Sequence, residues 1–519
     1  MRVRFVMPAA IAVATALIAG LAGPGASGAA HRAKPRAKPP NLVLIRTDDQ
    51  TTAQLNARFM PQTTRLLVKR GTSFTQAIAA TPQCCPSRAA TLTGQYGHNN
   101  GVTSNIPGYP NLRKKGNTLP VWLREAGYRT AHVGKYLNGY TTVAHRAEVA
   151  PGWDLWKTVP GGASRYYDYS MSVDGRLAHY GRAPADNVTS VLHRKAVRIV
   201  ERYGDARKPL FLQLDERAPH AADGPTKGRC TDRAPQPVPR DLDLFSDEPL
   251  PEPPSFNEAD ISDKPPFLRR PKLDAERIAR IRLRYQCSLA SLLAVDRGVS
   301  RVFEAFRKLR ALRRTVFIFT SDNGFFRGEH RIGAGKSVSY EESIKVPLAI
   351  RLPSAYRAGA PRAAEVSTPV ANIDLAPTIL ALADAEPCRA RRCRTMDGRS
   401  LLPLLRGRKP RWSRDRGILT EYSNLDRPRE KVCAYAGIRL DDRIYVDYSS
   451  VAQPGAGCQP ADAHELYELD SDPFELHNVA DMPARQEEQL GLAKRLRKLR
   501  RCAGVAGRDD HVRGRPFCE

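Results

Sequence analysis

The chain has 519 residues, 41% of them hydrophobic and 26% charged, with a formal net charge of +28. It is too apolar for a disordered chain and long enough to bury a sizeable core, with two domains as the natural division. The charge attracts anions, but the basic residues are spread along the chain, and no zinc-finger, RNA-recognition or helix-turn-helix pattern accompanies them, which argues against nucleic acid as a partner.

Residues 1–30 open with Met1-Arg2-Val3-Arg4, continue through an uncharged Ala/Ile/Val/Leu stretch from Phe5 to Ala22, and end in small residues around Ala26 to Ala30. That is the layout of a secretory signal peptide, so the mature protein is expected to be exported, with no stable membrane insertion after cleavage. His31 to Pro40, built from Ala-Lys-Pro and Arg-Ala-Lys pieces, cannot bury apolar surface and reads as a flexible linker. Asn41 to Arg46 is then a short apolar run, followed at once by Thr47-Asp48-Asp49-Gln50, as expected for a buried strand ending in carboxylates. Further strands are predicted at Arg129 to Val133, Leu210 to Leu214, Thr315 to Thr320 and Pro347 to Arg351, with helical segments between several of them. This alternation predicts an α/β fold, a mostly parallel sheet flanked by helices on both faces.

Ala234 to Pro271 is rich in proline and acid and reads as a long surface loop. From Asp274 to about Arg310, apolar residues recur at three- and four-residue steps, from Ile278 and Ile281 to Val302 and Phe306, and predict a long helix. After Leu405 the texture changes to short strand-like pieces, Gly417 to Glu421 and Arg443 to Tyr448, so a main domain over 41–405 and a smaller C-terminal α+β domain over 406–519 are expected. The basic stretch Lys494 to Arg501 reads as a solvated helix face.

Ten cysteines in an exported protein point to disulfides. Cys388/Cys393, Cys433/Cys458 and Cys502/Cys518 close short loops, Cys230 and Cys287 are the remaining pair, and the adjacent Cys84 and Cys85 are left over. Zinc on the cysteines is the rival, but no Cys-x-x-Cys or His-x-x-x-His spacing occurs.

Two strand ends, tipped with Asp48-Asp49 and Asp322-Asn323, would converge at the carboxyl edge of a parallel sheet, where open α/β folds place ligands. Oxygen donors of this kind suit calcium or magnesium; taken singly, an Asp-Asp pair after a strand is more often a turn or helix cap. The decisive segment is Cys84-Cys85-Pro86-Ser87-Arg88-Ala89-Ala90-Thr91-Leu92-Thr93-Gly94. It resembles the formylglycine-dependent (type I) sulfatase family, whose signature is Cys-x-Pro-Ser-Arg followed after three residues by Leu-Thr-Gly, and the match is complete. The resemblance implies an alkaline-phosphatase-like fold and oxidation of Cys84 to formylglycine by a formylglycine-generating enzyme. It further implies a cation, calcium with magnesium or manganese as alternatives, on Asp48, Asp49, modified Cys84, Asp322 and Asn323. Hydrated formylglycine is a gem-diol: one hydroxyl attacks sulfur and expels the alcohol, and the second then loses its proton as the aldehyde re-forms and sulfate leaves.

The resemblance continues along most of the mature chain. Gly134-Lys135-Tyr136-Leu137-Asn138-Gly139 sits where many sulfatases carry Gly-Lys-Trp-His-Leu-Gly, which makes Lys135 a sulfate- or formylglycine-binding lysine. Leu137 replaces the usual histidine, as in the glucosamine-6-sulfatase branch, and leaves one proton-handling role unfilled. Ala218-Pro219-His220 matches the family's Ala-Pro-His and makes His220 a candidate sulfate ligand and general acid. Asp322-Asn323-Gly324, Gly335-Lys336 and Tyr340-Glu341-Glu342 reproduce the second metal motif and the lysine after it, and Lys336 would touch both sulfate and leaving oxygen. Arg88 would hold the aldehyde hydrate. Asn372 to Thr378 and Glu465 to Leu469 with Asp472-Pro473 resemble family landmarks with structural roles.

The segment Pro254 to Pro265 resembles glucosamine-6-sulfatases, so a saccharide bearing 6-O-sulfated N-acetylglucosamine is the first substrate class. A broad-specificity arylsulfatase, a phosphodiester or phosphonate hydrolase of the same fold, and a non-catalytic polyanion-binding protein are the alternatives.

Overall fold

A computed structural model describes residues 39–142, 147–160, 165–223, 228–231, 233–361, 363–423, 432–449, 458 and 462–519. The expected signal peptide, and the linker up to residue 38, lie outside the described residues. Ten strands form the main sheet, in the order Ala364–Val366, Thr72–Phe74, Leu348–Arg351, Thr315–Ser321, Asn41–Thr47, Leu210–Asp215, Arg129–Lys135, Leu155–Val159, Tyr169–Val173 and Arg176–Tyr180. The five from Thr315–Ser321 to Leu155–Val159 are mutually parallel. Leu348–Arg351 runs antiparallel to both of its neighbours, and the Leu155, Tyr169 and Arg176 strands continue as an antiparallel meander.

The apolar runs of the central strands are buried on both faces, which is why they lack polar alternation. Leu42 and Leu44, with Val316 and Ile318, point into one core, under the Cys84–Thr93 and Leu375–Ala383 helices. Val43 and Ile45, with Phe317 and Phe319, point into the other, under the Val188–Tyr203 and Ala275–Lys308 helices. The Ala275–Lys308 helix starts at Asp274, whose carboxylate accepts from Arg277 N at 2.8 Å. Its buried stripe includes Ile281, Tyr285, Leu289, Leu292, Val295, Val299, Val302 and Phe306. Gly298 lets the Val188–Tyr203 helix approach, because a Cβ there would sit 2.1 Å from the His193 ring.

The Ala234 to Pro271 segment departs from the expected surface loop. It is irregular, with short turns at Pro239–Asp241 and Pro266–Leu268, yet Ser255, Glu258, Ile261 and Lys264 are buried. Its polar groups find internal partners, such as Lys264 Nζ donating to the Glu475 and Leu476 carbonyls at 2.9 and 3.0 Å, so burial costs it less than its composition implied.

Toward the C-terminus, Ile418–Tyr422, Tyr435–Arg439, Arg443–Asp447 and His464–Glu468 form a four-stranded antiparallel sheet. The Gln486–Leu499 helix covers it with Leu492, Leu496 and Leu499, while Lys494, Arg497 and Lys498 face solvent. This core also takes in Ile78, Ala90, Tyr96 and Phe326 from the larger part of the chain, so the two sheets share apolar packing and Pro39–Glu519 forms one compact unit. Four disulfides join Cys230–Cys287, Cys388–Cys393, Cys433–Cys458 and Cys502–Cys518, the pairs that the spacing selects, and Cys84 and Cys85 remain as buried free thiols. No helix among the described residues is long and apolar enough to cross a membrane.

Candidate active site

Asn41–Thr47 and Thr315–Ser321 are paired in register and end together, which delivers Asp48-Asp49 and Asp322-Asn323 to one point on the sheet edge. Asp49 adopts a left-handed backbone, φ 68°, with its N–H donating to Asp322 Oδ1 at 3.3 Å. Cys84 opens its helix directly above them, with Sγ 3.2 Å from Asp48 Oδ1 and accepting from Lys336 Nζ at 2.9 Å. One oxygen each from Asp48, Asp49 and Asp322 and the Cys84 sulfur lie within 4.8 Å of one another. Burial first, then the Asp48 charge, pushes the Cys84 thiol up to about 11, so an unmodified thiol is protonated at neutral pH.

The cations come from separate elements. Lys135, at the end of its strand, donates to Asp48, and Lys336 donates to Asp49. Gly134 makes the first contact feasible: its φ is 120°, and a Cβ would lie 1.8 Å from the Asp215 carbonyl oxygen. Arg88 lies one turn into the Cys84 helix and is fully enclosed, donating to Asp322 Oδ2 at 2.8 Å and to the Lys135 carbonyl at 2.9 Å, with Asp48 Oδ2 at 3.4 Å. Burial works against the Asp48 carboxylate, but the charges of Lys135, Arg88 and Lys336 together hold it well below its ordinary value. Burial also opposes the charge on Lys336, yet the Asp49 and Asp48 carboxylates raise its ammonium well above the usual range.

His220 completes the ring of expected residues, with Nε2 3.7 Å from Asp49 Oδ2 and a side chain 22% exposed. Its Nδ1 lies 2.7 Å from the Ala221 carbonyl, which fixes that nitrogen as the donor, and burial lowers its pKa so that the resting imidazole is neutral. All nine residues expected at the site are therefore within one cluster. The position of the missing family histidine, Leu137, is buried in the apolar core.

The donor set fits a hard divalent cation. Three carboxylates converge, and the Asn323 side-chain oxygen is buried with no hydrogen-bond partner while its Nδ2 donates to Asp49 Oδ1 at 2.7 Å.

Sequence reasoning missed the support beneath this ring. Asp215 ends the Leu210–Asp215 strand opposite Arg46, accepting from Arg46 Nε and Nη2 at 2.8 and 2.9 Å, and lies 3.7 Å from Arg88 Nη1. Gln213 donates to it at 2.7 Å, and His132 Nε2 lies at 3.0 Å. The available signal was a charge closing each of two apolar runs. Also missed was a cavity of about 280 Å³ that opens beside Asp49, with Arg233, Arg284, Phe325 and Arg327 in its wall. These arginines are far apart in sequence and carry no motif.

The comparisons with known proteins agree with this geometry. Residues 40–385 match the model of the family described as Sulfatase. The chain belongs to the sulfatase family. Residues 328–502 also match the model described as N-sulphoglucosamine sulphohydrolase, C-terminal. Among its relatives, the N-acetylglucosamine-6-sulfatase of Homo sapiens is 30% identical over 506 residues, 91% of this chain and 86% of the relative. An extracellular sulfatase Sulf-1 homolog of Caenorhabditis elegans is 35% identical over 374 residues, 70% of this chain, and this sulfatase-family chain spans about half (49%) of that relative's length. A solved structure of a protein in complex with its substrate D-glucosamine-2-N,6-O-disulfate superposes with a TM-score of 0.69 at 25% identity, covering 89% of this chain and 97% of the other. The fold is thus the alkaline-phosphatase-like one of the sulfatases, with its small C-terminal antiparallel sheet.

Proposed function

We propose that this sulfatase-family chain is an exported enzyme that releases inorganic sulfate from a sulfated saccharide, with 6-O-sulfated N-acetylglucosamine as its substrate class. The observation that carries the reading is the seat of Cys84, whose Sγ lies against Asp48 and Lys336 at the point where both metal motifs meet. Formylglycine at this position supplies the nucleophile for sulfur. A cation held by Asp48, Asp49, modified Cys84, Asp322 and Asn323, calcium first, would supply Lewis-acid polarisation.

The remaining work falls to the chain's own residues. Lys135 and Lys336 reach the site from separate elements, against Asp48 and Cys84, and neutralise sulfate oxygens as charge develops. Arg88 is enclosed beneath them and holds Asp322 and Asp48 in place. His220 faces the site through Nε2, and a bound sulfate favours the imidazolium there, which can then give its proton to the leaving sugar oxygen. The cleft with Arg233, Arg284 and Arg327 supports an extended anionic saccharide over a small aryl sulfate. The human and solved-structure relatives support the choice of sugar.

The test joins mass spectrometry of the Cys84 peptide to a turnover panel of 6-O-sulfated N-acetylglucosamine, an aryl sulfate and an aryl phosphodiester. The thiol-to-aldehyde mass difference together with the fastest turnover on the sugar sulfate is expected. Full activity with an intact Cys84 thiol overturns the mechanism, and faster turnover of the aryl sulfate or phosphodiester overturns the substrate assignment. Binding of polyanions with no turnover at all overturns both.

A further inference from the structure

Behind the catalytic ring, three elements bring a second set of ligand-type side chains together. His330 lies in the loop after Asp322-Asn323, Glu342 in the short helix Glu341–Ile344, and Glu475 in the turn that follows the last strand of the C-terminal sheet. One atom from each lies within 4.8 Å of the others. His330 Nε2, Glu342 Oε2 and Glu475 Oε1 are all buried atoms without a hydrogen-bond partner, and His330 and Glu475 are almost completely enclosed, at 3% and 0% exposure. Three buried polar atoms facing one another without a hydrogen bond, with only the 3.6 Å His330–Glu342 approach between them, is a costly arrangement in a protein interior unless something sits among them.

The geometry points to a divalent metal ion of the zinc type held by His330 Nε2, Glu342 and Glu475, separate from the catalytic cation. His330 Nε2 and Glu342 Oε2 are 3.6 Å apart. That is long for a hydrogen bond, but close to the ~3.4 Å edge of a tetrahedron with metal–ligand bonds of about 2.1 Å. The other imidazole nitrogen, Nδ1, lies 2.7 Å from Glu258 Oε2, the carboxylate–histidine arrangement that orients a metal-binding ring and fixes Nε2 as its free nitrogen. Glu258 is itself paired, with Lys264 at 3.3 Å. Glu342 has only the His330 ring as an ion-pair partner, at 3.6 Å, and Glu475 forms no ion pair with lysine or arginine among the described residues, so a dication would balance both carboxylates. The aromatic walls are in place as well: Tyr340 stacks on His330 with ring centroids 4.2 Å apart. An imidazole with two carboxylates favours a first-row transition ion over calcium, whereas the all-oxygen protein set beside Cys84 does the reverse. The Glu342 side chain is 19% exposed, which leaves a route for the ion and a position for water.

An ion here ties the C-terminal turn to the stretch between His330 and Glu342, the stretch that carries Lys336. It acts as a staple on the loop that completes the catalytic ring, with no part in the chemistry.

Elemental analysis of the purified full chain separates the two sites, because they prefer different metals. One equivalent of zinc is expected in the wild type, retained in Asp322→Asn and lost in both Glu475→Gln and His330→Gln, with the hard cation retained in the last two. Glu342→Gln, the least enclosed position, gives the same loss if either of those variants fails to fold. Glu475→Gln also mimics a protonated carboxyl. A wild type free of zinc and other first-row ions, or zinc unchanged in the His330 and Glu342 variants, overturns the assignment.

Discussion

Replacing Asp215 with asparagine tests the support under the active site. The carboxylate is 1% exposed and accepts from Arg46 twice and from Gln213, with His132 against the same oxygen and Arg88 at 3.7 Å. Burial alone would favour its protonated form, but Arg46, His132 and Arg88 hold it far below its ordinary 3.8. Asp215→Asn keeps the shape and removes the charge, leaving the enclosed Arg46 guanidinium without its counter-ion and pointing an amide donor at another donor, while Arg88 keeps Asp322 and Asp48. Breaking a buried pair from one side costs about 3–5 kcal/mol, and a loss in that range is expected because the enclosed Arg46 is stranded. A depressed carboxylate contributes fully above its unfolded value of 3.8 and loses its contribution as pH falls below it, so the deficit should be equal at pH 8 and pH 6. Urea unfolding followed by the fluorescence of Trp153 and Trp156, whose rings lie 5.3 and 5.0 Å from His132, reads it directly. A loss below about 1 kcal/mol would refute the reasoning and place the network in the range of exposed ion pairs.

Four further outcomes follow from the same structure. Gly298→Ala should cost about 1–3 kcal/mol in a thermal or urea unfolding assay, since its Cβ would meet the His193 ring at 2.1 Å; a neutral result would mean that the two helices can part freely. Chelation should abolish sulfate release, and Asp322→Asn should lower hard-cation occupancy in elemental analysis, while unchanged calcium content would remove Asp322 from the ligand set. His220→Ala should slow turnover of a sugar sulfate far more than of a nitrophenyl sulfate, whose leaving group departs as an anion; equal losses would restrict His220 to binding. The His98–Glu421 link, 3.2 Å between a catalytic-side helix and the C-terminal sheet, gives a pH signature. Burial opposes both charges, but Glu421 raises His98 above 6.5 and His98 lowers Glu421 below 4.5. The histidine contribution is complete below 6.5 and lost as pH rises through the folded value, and the glutamate contribution is complete above 4.5 and lost as pH falls, so stability from the pair peaks between them. His98→Gln should flatten the stability profile in that window, and an unchanged profile would dismiss the link.

Much of the fold was legible in the sequence because its signals are local. Apolar runs closed by carboxylates at Asp48 and Asp322 marked strands of a buried parallel sheet, and the three- and four-residue steps after Asp274 marked the long helix, since burial on two faces or one stripe imposes those patterns directly. The Cys84 segment was legible for a different reason: its chemistry needs particular residues one helical turn apart, so the spacing survives in linear form. Tertiary structure alone decided what depends on partners remote in the chain. Asp215 met Arg46 and Arg88 only because its strand pairs with the Arg46 strand where the Cys84–Thr93 helix delivers Arg88, and Glu258 and Lys264 could be buried inside a proline-rich segment only because His330 and the Glu475 turn come to meet them. The arginine cleft beside Asp49 and the His330–Glu342–Glu475 cluster have the same origin. Desolvation sets the energy of such groups, and desolvation is a property of packing that no run of neighbouring residues encodes.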